Sequence, residues 1–350
     1  MTVSSDPTHL FELDNASTET APPDYIPIID FSAFTIPNAS ASDRAKVAND
    51  LVAAFTNSGF VYLKDHGIPS DAVERMFVQS KEFFALDEAR KEAVAWENAE
   101  SNRGYVAIGR EKLSDLDKEG RAEDIKKLNE ISPDIKEAFD VREDFTDSKY
   151  RNRYPSTHFG DQCDSFFQIL KKLNLSVMSA VGLGLGLGED FFKFSTHGGG
   201  NNTLRILHYP RVPALEINDH SRRCGAHSDY GTVTFLFQDA VGGLEVLDHK
   251  SNHFVQVTPI PGTIVVNIGD LLQRWTNDHL KSKMHRVVKP YRVDEDGYLP
   301  ARYSIAYFCD PDEETVVETI EQFITEKTPK KYAAVNAGEY LIARLNNTYV

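Results

Sequence analysis

Basic runs, a cysteine framework and membrane-length apolar stretches are all missing from this chain. Its 350 residues carry 38 Lys and Arg against 53 Asp and Glu, a formal charge of −15. With no basic run to offset that charge, nucleic acid and anionic membrane are poor partners. Three cysteines, Cys163, Cys224 and Cys309, are too few and too scattered for disulfide stapling, so a reducing compartment is expected. No stretch is apolar for long enough to span a bilayer. The polar, acidic N-terminus is unlike a secretory signal or mitochondrial presequence, and the expected location is cytoplasmic.

What is present is enough apolar residue, 41%, to bury a sizeable core, and a periodicity that changes along the chain. Residues 1–24 are rich in Ser, Thr, Asp and Pro and read as a mobile tail preceding one domain over 25–350. The 25–200 part reads as mostly helical. Strands are expected at 26–31 and 60–63, with a helix at 43–58 whose apolar face is Val47, Leu51, Ala54 and Phe55. Ser70 can cap the next helix, built on Val73, Met76, Phe77, Phe83 and Phe84. Residues 102–112 read as an irregular segment near a pocket mouth, 113–130 as a solvated charged stretch, and 134–139 as the start of a strand. A long amphipathic helix over 161–187 ends in Gly182-Leu183-Gly184-Leu185-Gly186-Leu187-Gly188. Because that run follows a helix instead of a strand, it is no nucleotide fingerprint.

From residue 201 short β-rich runs recur at 203–209, 232–237, 244–247, 254–257, 263–267, 285–288 and 302–308, with turns at Gly242-Gly243, Pro261-Gly262 and Asp296-Gly297. Evenly spaced short strands without helices between them argue a closed double-sheet barrel over 201–320: a mainly β fold with flanking helices. The closing 321–350 segment carries a helix, near 331–345, expected to pack outside the barrel.

His227 and Asp229 stand two apart in a run that turns strand-like, so both side chains are expected on one face. His285 lies in a second strand-like run. Two imidazoles and one carboxylate form a facial triad that leaves roughly three octahedral positions open on Fe(II). Arg302 and Ser304, also two apart on a strand, make a fork and a hydroxyl suited to a buried carboxylate. His66 reads as a turn histidine, and His208, His220, His249, His253 and His279 as solvated or locally bonded ones; none is assigned to metal. Cys224 reads as a small apolar filler.

His227-Ser228-Asp229, His285-Arg286-Val287 and Arg302-Tyr303-Ser304 together resemble the signature of the Fe(II)/2-oxoglutarate-dependent dioxygenases of the isopenicillin-N-synthase-like group. The similarity extends over nearly the whole chain, through 26–31, 59–67, Leu207-His208-Tyr209-Pro210 and Gly242-Gly243-Leu244. Asn102-Arg103-Gly104-Tyr105, 205–210, Arg274-Trp275-Thr276-Asn277-Asp278 and 302–309 resemble the fungal thymine 7-hydroxylase branch.

The resemblance implies a double-stranded β-helix, or jelly-roll, core with His227, Asp229 and His285 on iron. It implies Arg302, Ser304 and Tyr209 on the distal carboxylate of 2-oxoglutarate, O2 as oxidant and ascorbate as a helpful reductant. Leu207 departs from many plant relatives, which have an asparagine there. For a small-molecule substrate, it implies a pyrimidine between Tyr230 and Phe308 with Arg205 on its polar edge, and Asn102, Arg103 and Tyr105 near a lid. The reaction so implied oxidises the thymine methyl group and releases succinate and CO2. Alternatives are a fungal secondary-metabolite oxygenase acting on an aromatic polyketide or similar molecule, a relative that needs no 2-oxoglutarate, and a non-catalytic jelly-roll binding protein.

Overall fold

The computed structural model describes residues 18–19, 25–114, 122–131, 134–145, 148–193, 201–214, 223–290 and 293–349. Of the expected tail, Thr18–Glu19 is described, as strand β1, and the remainder of 1–24 lies outside the described residues, as does His220. β2 (Ile28–Asp30), α1 (Ala41–Asn57), β3 (Phe60–Lys64), α2 (Ser70–Phe84) and α3 (Glu88–Glu92) follow. Then come β4 (Gly104–Val106), α4 (Ala122–Ile131), β5 (Glu137–Arg142) and α5 (Thr157–Gly184). The helix starts have local causes. Ser40 accepts from the Asp43 N–H at 3.0 Å and Ser156 from the Phe159 N–H at 3.2 Å, satisfying donors the first turn leaves open. Ser70 instead is the first residue of α2, with Pro69 at the cap and no capping side chain.

The second half runs β6 (Thr203–Tyr209), β7 (Val212–Pro213), β8 (Cys224–His227), β9 (Val233–Gln238), β10 (Leu244–Asp248), β11 (His253–Gln256) and β12 (Ile264–Ile268). α6 (Asp270–Trp275), β13 (His285–Val287), β14 (Tyr298–Leu299), β15 (Arg302–Cys309), β16 (Val316–Val317), β17 (Val335–Asn336) and α7 (Ala337–Thr348) complete it. The strands make an eight-stranded sheet in the order β2-β3-β12-β9-β15-β6-β5-β4 and a five-stranded sheet in the order β1-β11-β10-β13-β8. This is the jelly-roll core. The 25–200 part is less purely helical than its periodicity suggests, since it supplies four of the eight strands of the larger sheet. Three of those strands fall where strands were expected, at 26–31, 60–63 and 134–139, while β4, three buried residues long, lies inside the segment read as irregular.

Period-two alternation sorts the larger sheet's side chains into two cores. Val61, Leu63, Leu204, Ile206, Phe235, Phe237, Ile264, Val266, Ile305 and Tyr307 face α1, α2 and α5. Phe60, Tyr62, Leu207, Tyr209, Leu236, Val265 and Ala306 face the smaller sheet. Burying each large apolar chain contributes about 1.5–3 kcal/mol, so both faces hold the sheet against its layers. The glycine run at the end of α5 serves packing: a Cβ on Gly184 would strike the Ala48 carbonyl and the Val52 side chain of α1. The strand-borne side chains of the candidate site come from the inter-sheet face.

Candidate active site

His227 ends β8 and His285 begins β13, and the two are paired across that antiparallel ladder. Between this pair and the Val287–Cys224 pair the register shifts, a bulge of the kind that re-aims a side chain. The imidazole centroids lie 4.3 Å apart. Asp229 comes from the turn between β8 and β9, not from a strand as its spacing suggests, yet its Oδ1 is 3.8 Å from His227 Nε2 and 3.5 Å from His285 Nε2. One ligand atom from each falls within 4.8 Å of the others, the one such convergence of three His, Cys, Asp or Glu side chains among the described residues.

The surroundings prepare all three as ligands. His227 Nδ1 donates to the Gly225 carbonyl at 2.8 Å and His285 Nδ1 to the Lys283 carbonyl at 3.1 Å, which puts a proton on Nδ1 and turns each Nε2 toward Asp229 Oδ1. Asn267 on β12 donates to Asp229 Oδ2 at 2.6 Å. Burial pushes the Asp229 carboxyl up, but His285, His227 and the Asn267 amide outweigh it and hold it below the ordinary carboxylate range. The turn is fastened to α6: the Asp270 N–H donates to the Asp229 carbonyl at 2.8 Å, and Ser228 Oγ donates to Asp270 Oδ2 at 3.1 Å. A carboxylate oxygen between two imidazole Nε2 atoms is a donor set for a borderline divalent metal such as Fe(II). Burial pushes the Cys224 thiol up to about 12, so it stays neutral beside them.

A chamber of about 70 Å³ leads from the triad to Arg302, walled by Leu207, Leu244, Val287 and Ala306. Arg302 is 1% exposed. Its Nη1 donates to Ser304 Oγ at 3.1 Å and its Nη2 to Gln238 Oε1 at 3.3 Å, its guanidinium lies 4.8 Å over the Tyr209 ring, and its Nε meets no acceptor. No carboxylate among the described residues pairs with it. A buried cation lacking an anion is costly, and a ligand carboxylate is what this fork lacks.

A second chamber, about 60 Å³, opens from the other side of His227 and Asp229, lined by Asn102, Glu111, Arg205, Tyr230, Phe308 and Asp310 among others. One face of two adjacent strands lines both chambers. Tyr209, Leu207, Arg205 and Thr203 on β6 stand opposite Arg302, Ser304, Ala306 and Phe308 on β15. A wider groove of about 690 Å³ lies on the outer surface near Tyr62, His66 and Phe77, away from the triad.

Arg205 belongs to a buried ion network as well as to the chamber. It takes Asp140 bidentately at 2.7 Å and Glu111 at 2.7 Å, and donates to the Tyr349 hydroxyl. Lys136 joins Glu111 at 2.8 Å and Asp134 at 3.4 Å, and Lys112 joins Asp134 at 2.7 Å. Three cations thus balance three carboxylates. Burial pushes Glu111 up, but Arg205 and Lys136 outweigh it and bring it to about 2. Asn102 receives the Trp96 indole N–H at 3.2 Å and donates to Thr203 at 3.3 Å.

Tyr105 is not at the chamber. Its hydroxyl donates to Glu137 at 2.6 Å and its ring packs on Phe83, because β4 turns it toward the helical core. Arg103 is likewise spent on Ser101, Asn152 and Glu143. The C-terminal helix does not merely pack outside. Leu341 and Leu345 of α7 line the second chamber, Thr348 Oγ1 lies 2.7 Å from the Tyr230 hydroxyl, and the Tyr349 ring stacks on Trp96 at 3.9 Å. Arg344 and Tyr340 donate to the same Asp270 oxygen that holds Ser228. Glu111, Asn267, Asp270, Asp310 and these α7 residues escaped the sequence reading; the one available signal was a polar residue, Asn267, inside the apolar run of β12.

Residues 26–160 match the family described as non-haem dioxygenase in morphine synthesis N-terminal, and residues 200–311 match the 2OG-Fe(II) oxygenase superfamily. The chain belongs to the 2OG-Fe(II) oxygenases. Its fold is similar to that of the full-length Neurospora crassa thymine 7-hydroxylase in complex with alpha-KG and thymine, with a TM-score of 0.81 and 39% identity over 93% of this chain and 97% of that one. Among curated proteins it is 34% identical to the 2-oxoglutarate-Fe(II) type oxidoreductase ppzD of Metarhizium rileyi, over 92% of this chain and 90% of that protein. It is 32% identical to the 2-oxoglutarate-dependent dioxygenase frbA of a Dothideomycetidae species, over 93% of this chain and 97% of the relative. This 2OG-Fe(II) oxygenase is therefore an oxidoreductase that uses iron, 2-oxoglutarate and O2. No helix among the described residues is long and apolar enough to cross a membrane.

Proposed function

We propose that this oxygenase oxidises the methyl group of thymine, with His227, Asp229 and His285 holding Fe(II) and Arg302, Ser304 and Tyr209 holding the far carboxylate of 2-oxoglutarate. Bound there, the metal and cosubstrate supply the oxidising power for a C–H bond, with succinate and CO2 as coproducts. The protein's own work is placement. Arg302 and Ser304 fix one end of the diacid, Leu207, Leu244, Val287 and Ala306 keep water from its length, and the Nδ1 bonds of the two histidines keep their Nε2 atoms aimed at one point.

The observation that carries the substrate reading is the second chamber, where Tyr230 and Phe308 offer ring faces and Arg205 lies 5.9 Å from the Phe308 ring. The likeness to a thymine 7-hydroxylase holding thymine supports it. Incubation with thymine, Fe(II), ascorbate and 2-oxoglutarate is expected to give 5-hydroxymethyluracil and an equal amount of succinate. Succinate release that does not respond to thymine overturns the substrate.

A second reading, tailoring of a fungal secondary metabolite, is favoured by one feature. Asp140, Glu111 and Tyr349 already engage four of Arg205's five N–H donors, which leaves little for a pyrimidine edge. An aromatic polyketide-like compound that stimulates succinate release when thymine does not would establish it.

A further inference from the structure

We infer that Asp310 is a specificity residue of the second chamber, accepting a hydrogen bond from a ring N–H of the substrate, and that the substrate is a planar ring bearing a lactam or imide N–H. The inference rests on the reading of that chamber as the substrate site, but not on thymine in particular.

Asp310 follows β15 two residues after Phe308, so strand alternation turns both to the chamber that they line. Its position is built. The Asp310 N–H donates to Asn202 Oδ1 at 2.8 Å, and Asn202 in turn donates to the Tyr307 hydroxyl at 3.0 Å. Gly231 leaves room for the carboxyl: a Cβ there would collide with Asp310 Oδ1 and the Cys309 carbonyl.

Although Asp310 is 5% exposed, its carboxyl accepts no hydrogen bond from any described residue. The nearest cation, Arg142, is engaged by Asn201 at 2.7 Å and Glu313 at 3.3 Å, and the other charge it feels is the Asp229 carboxylate. Burial accordingly pushes Asp310 up to about 7; Arg142 draws it down and Asp229 adds to the rise. A buried carboxyl without a donor is costly, and the chamber that Asp310 lines is the side from which a bound molecule can supply one.

The neighbours narrow the donor. Both ends of the Asn102 amide are occupied, and Arg205 and Glu111 are held in the ion network, so Asp310 is the unspent acceptor of the chamber. Apart from the triad end of the chamber, formed by His227, Ser228, Asp229 and Gly231, the remaining walls are Leu113, Thr203, Tyr230, Phe308, Leu341 and Leu345. The ring faces of Tyr230 and Phe308 and the leucines opposite suit a planar ring, and a ring N–H brings one donor to satisfy.

The test uses 2-pyridone, a flat lactam, and N-methyl-2-pyridone, which differs by blocking that donor. Binding of each to the full chain loaded with Mn(II) and 2-oxoglutarate is measured by calorimetry. The wild type is expected to bind 2-pyridone about tenfold to a hundredfold more tightly than its N-methyl analogue. Asp310→Ala is expected to lose that discrimination and Asp310→Asn, whose side-chain carbonyl still accepts, to retain most of it.

Equal affinity of the wild type for the two compounds, binding of neither, or undiminished discrimination in Asp310→Ala overturns the assignment. The wild-type comparison decides the matter even where a variant fails to fold. Because neither probe is thymine, loss of the thymine reading and loss of the Asp310 assignment appear in different experiments.

Discussion

Asn267 holds the outer oxygen of Asp229 at 2.6 Å from the larger sheet, where Thr234 of β9 is a second hydrogen-bonding neighbour of that carboxyl. Its role is to fix which way the carboxylate turns. Asn267→Ala is expected to lower Fe(II) affinity by about 10–100-fold, read by anaerobic titration, and Asp229→Ala to abolish stoichiometric binding. Wild-type affinity in both variants would remove the triad from the iron.

Arg302 is a cation kept dry with no anion, so removing it affects the empty and loaded proteins oppositely. Arg302→Met, of similar reach, is expected to leave the melting temperature of the apo protein unchanged or higher, because an uncompensated buried charge is gone. The same variant should bind 2-oxoglutarate about 10–150-fold more weakly, the worth of a charged hydrogen bond. A large loss of apo stability with intact cosubstrate affinity would show that Arg302 is structural.

Tyr349 braces the wall of the second chamber from behind, with its ring on Trp96 and its hydroxyl at Arg205, a lining residue. Tyr349→Phe keeps the stack and Tyr349→Ala removes it. The expected order of substrate KM is wild type, then Phe, then Ala, with the Ala variant also consuming more 2-oxoglutarate per product as the chamber wets. Equal KM values in all three would mean the end of α7 does not wall the substrate.

The iron-free protein should show the Asp310 carboxyl in its pH–stability profile. Its folded pKa, about 7, lies above the ordinary 3.8, so the folded state keeps a proton that the unfolded chain gives up. That contribution to stability is full below pH 3.8 and is lost as pH rises toward 7, on the order of a few kcal/mol. Asp310→Asn should therefore melt higher than wild type at pH 8, with the difference shrinking as pH falls and gone below about pH 4. The charges facing the group are Arg142 and Asp229, and neither changes ionisation over this range. Parallel profiles would mean the carboxyl has found a counter-charge.

The second half of the fold was legible because its strands alternate: 203–209 was read with its observed bounds, and the shared face of Arg302 and Ser304 followed from spacing alone. Pattern does not report what a buried face is buried against. The stripe of α7 predicted a packed helix but not that Leu341 and Leu345 would face a chamber. Glu111 fell in the irregular segment expected near a pocket mouth, but only the fold brings Arg205, ninety-four positions away, to neutralise it. Asp229 was expected to share a face with His227 by strand alternation, whereas a turn tied to Asp270 does the aiming.

The network of Lys112, Asp134, Lys136, Glu111, Arg205 and Asp140 has a bearing on how this pocket can diverge. Replacing one member strands an opposite charge away from water, at a cost near that of a whole domain's margin of stability. New preferences at the Arg205 wall must then arise by compensated pairs of mutations, while the Tyr230, Phe308 and Asp310 side remains open to single steps. Descendants of this gene should vary first on that side.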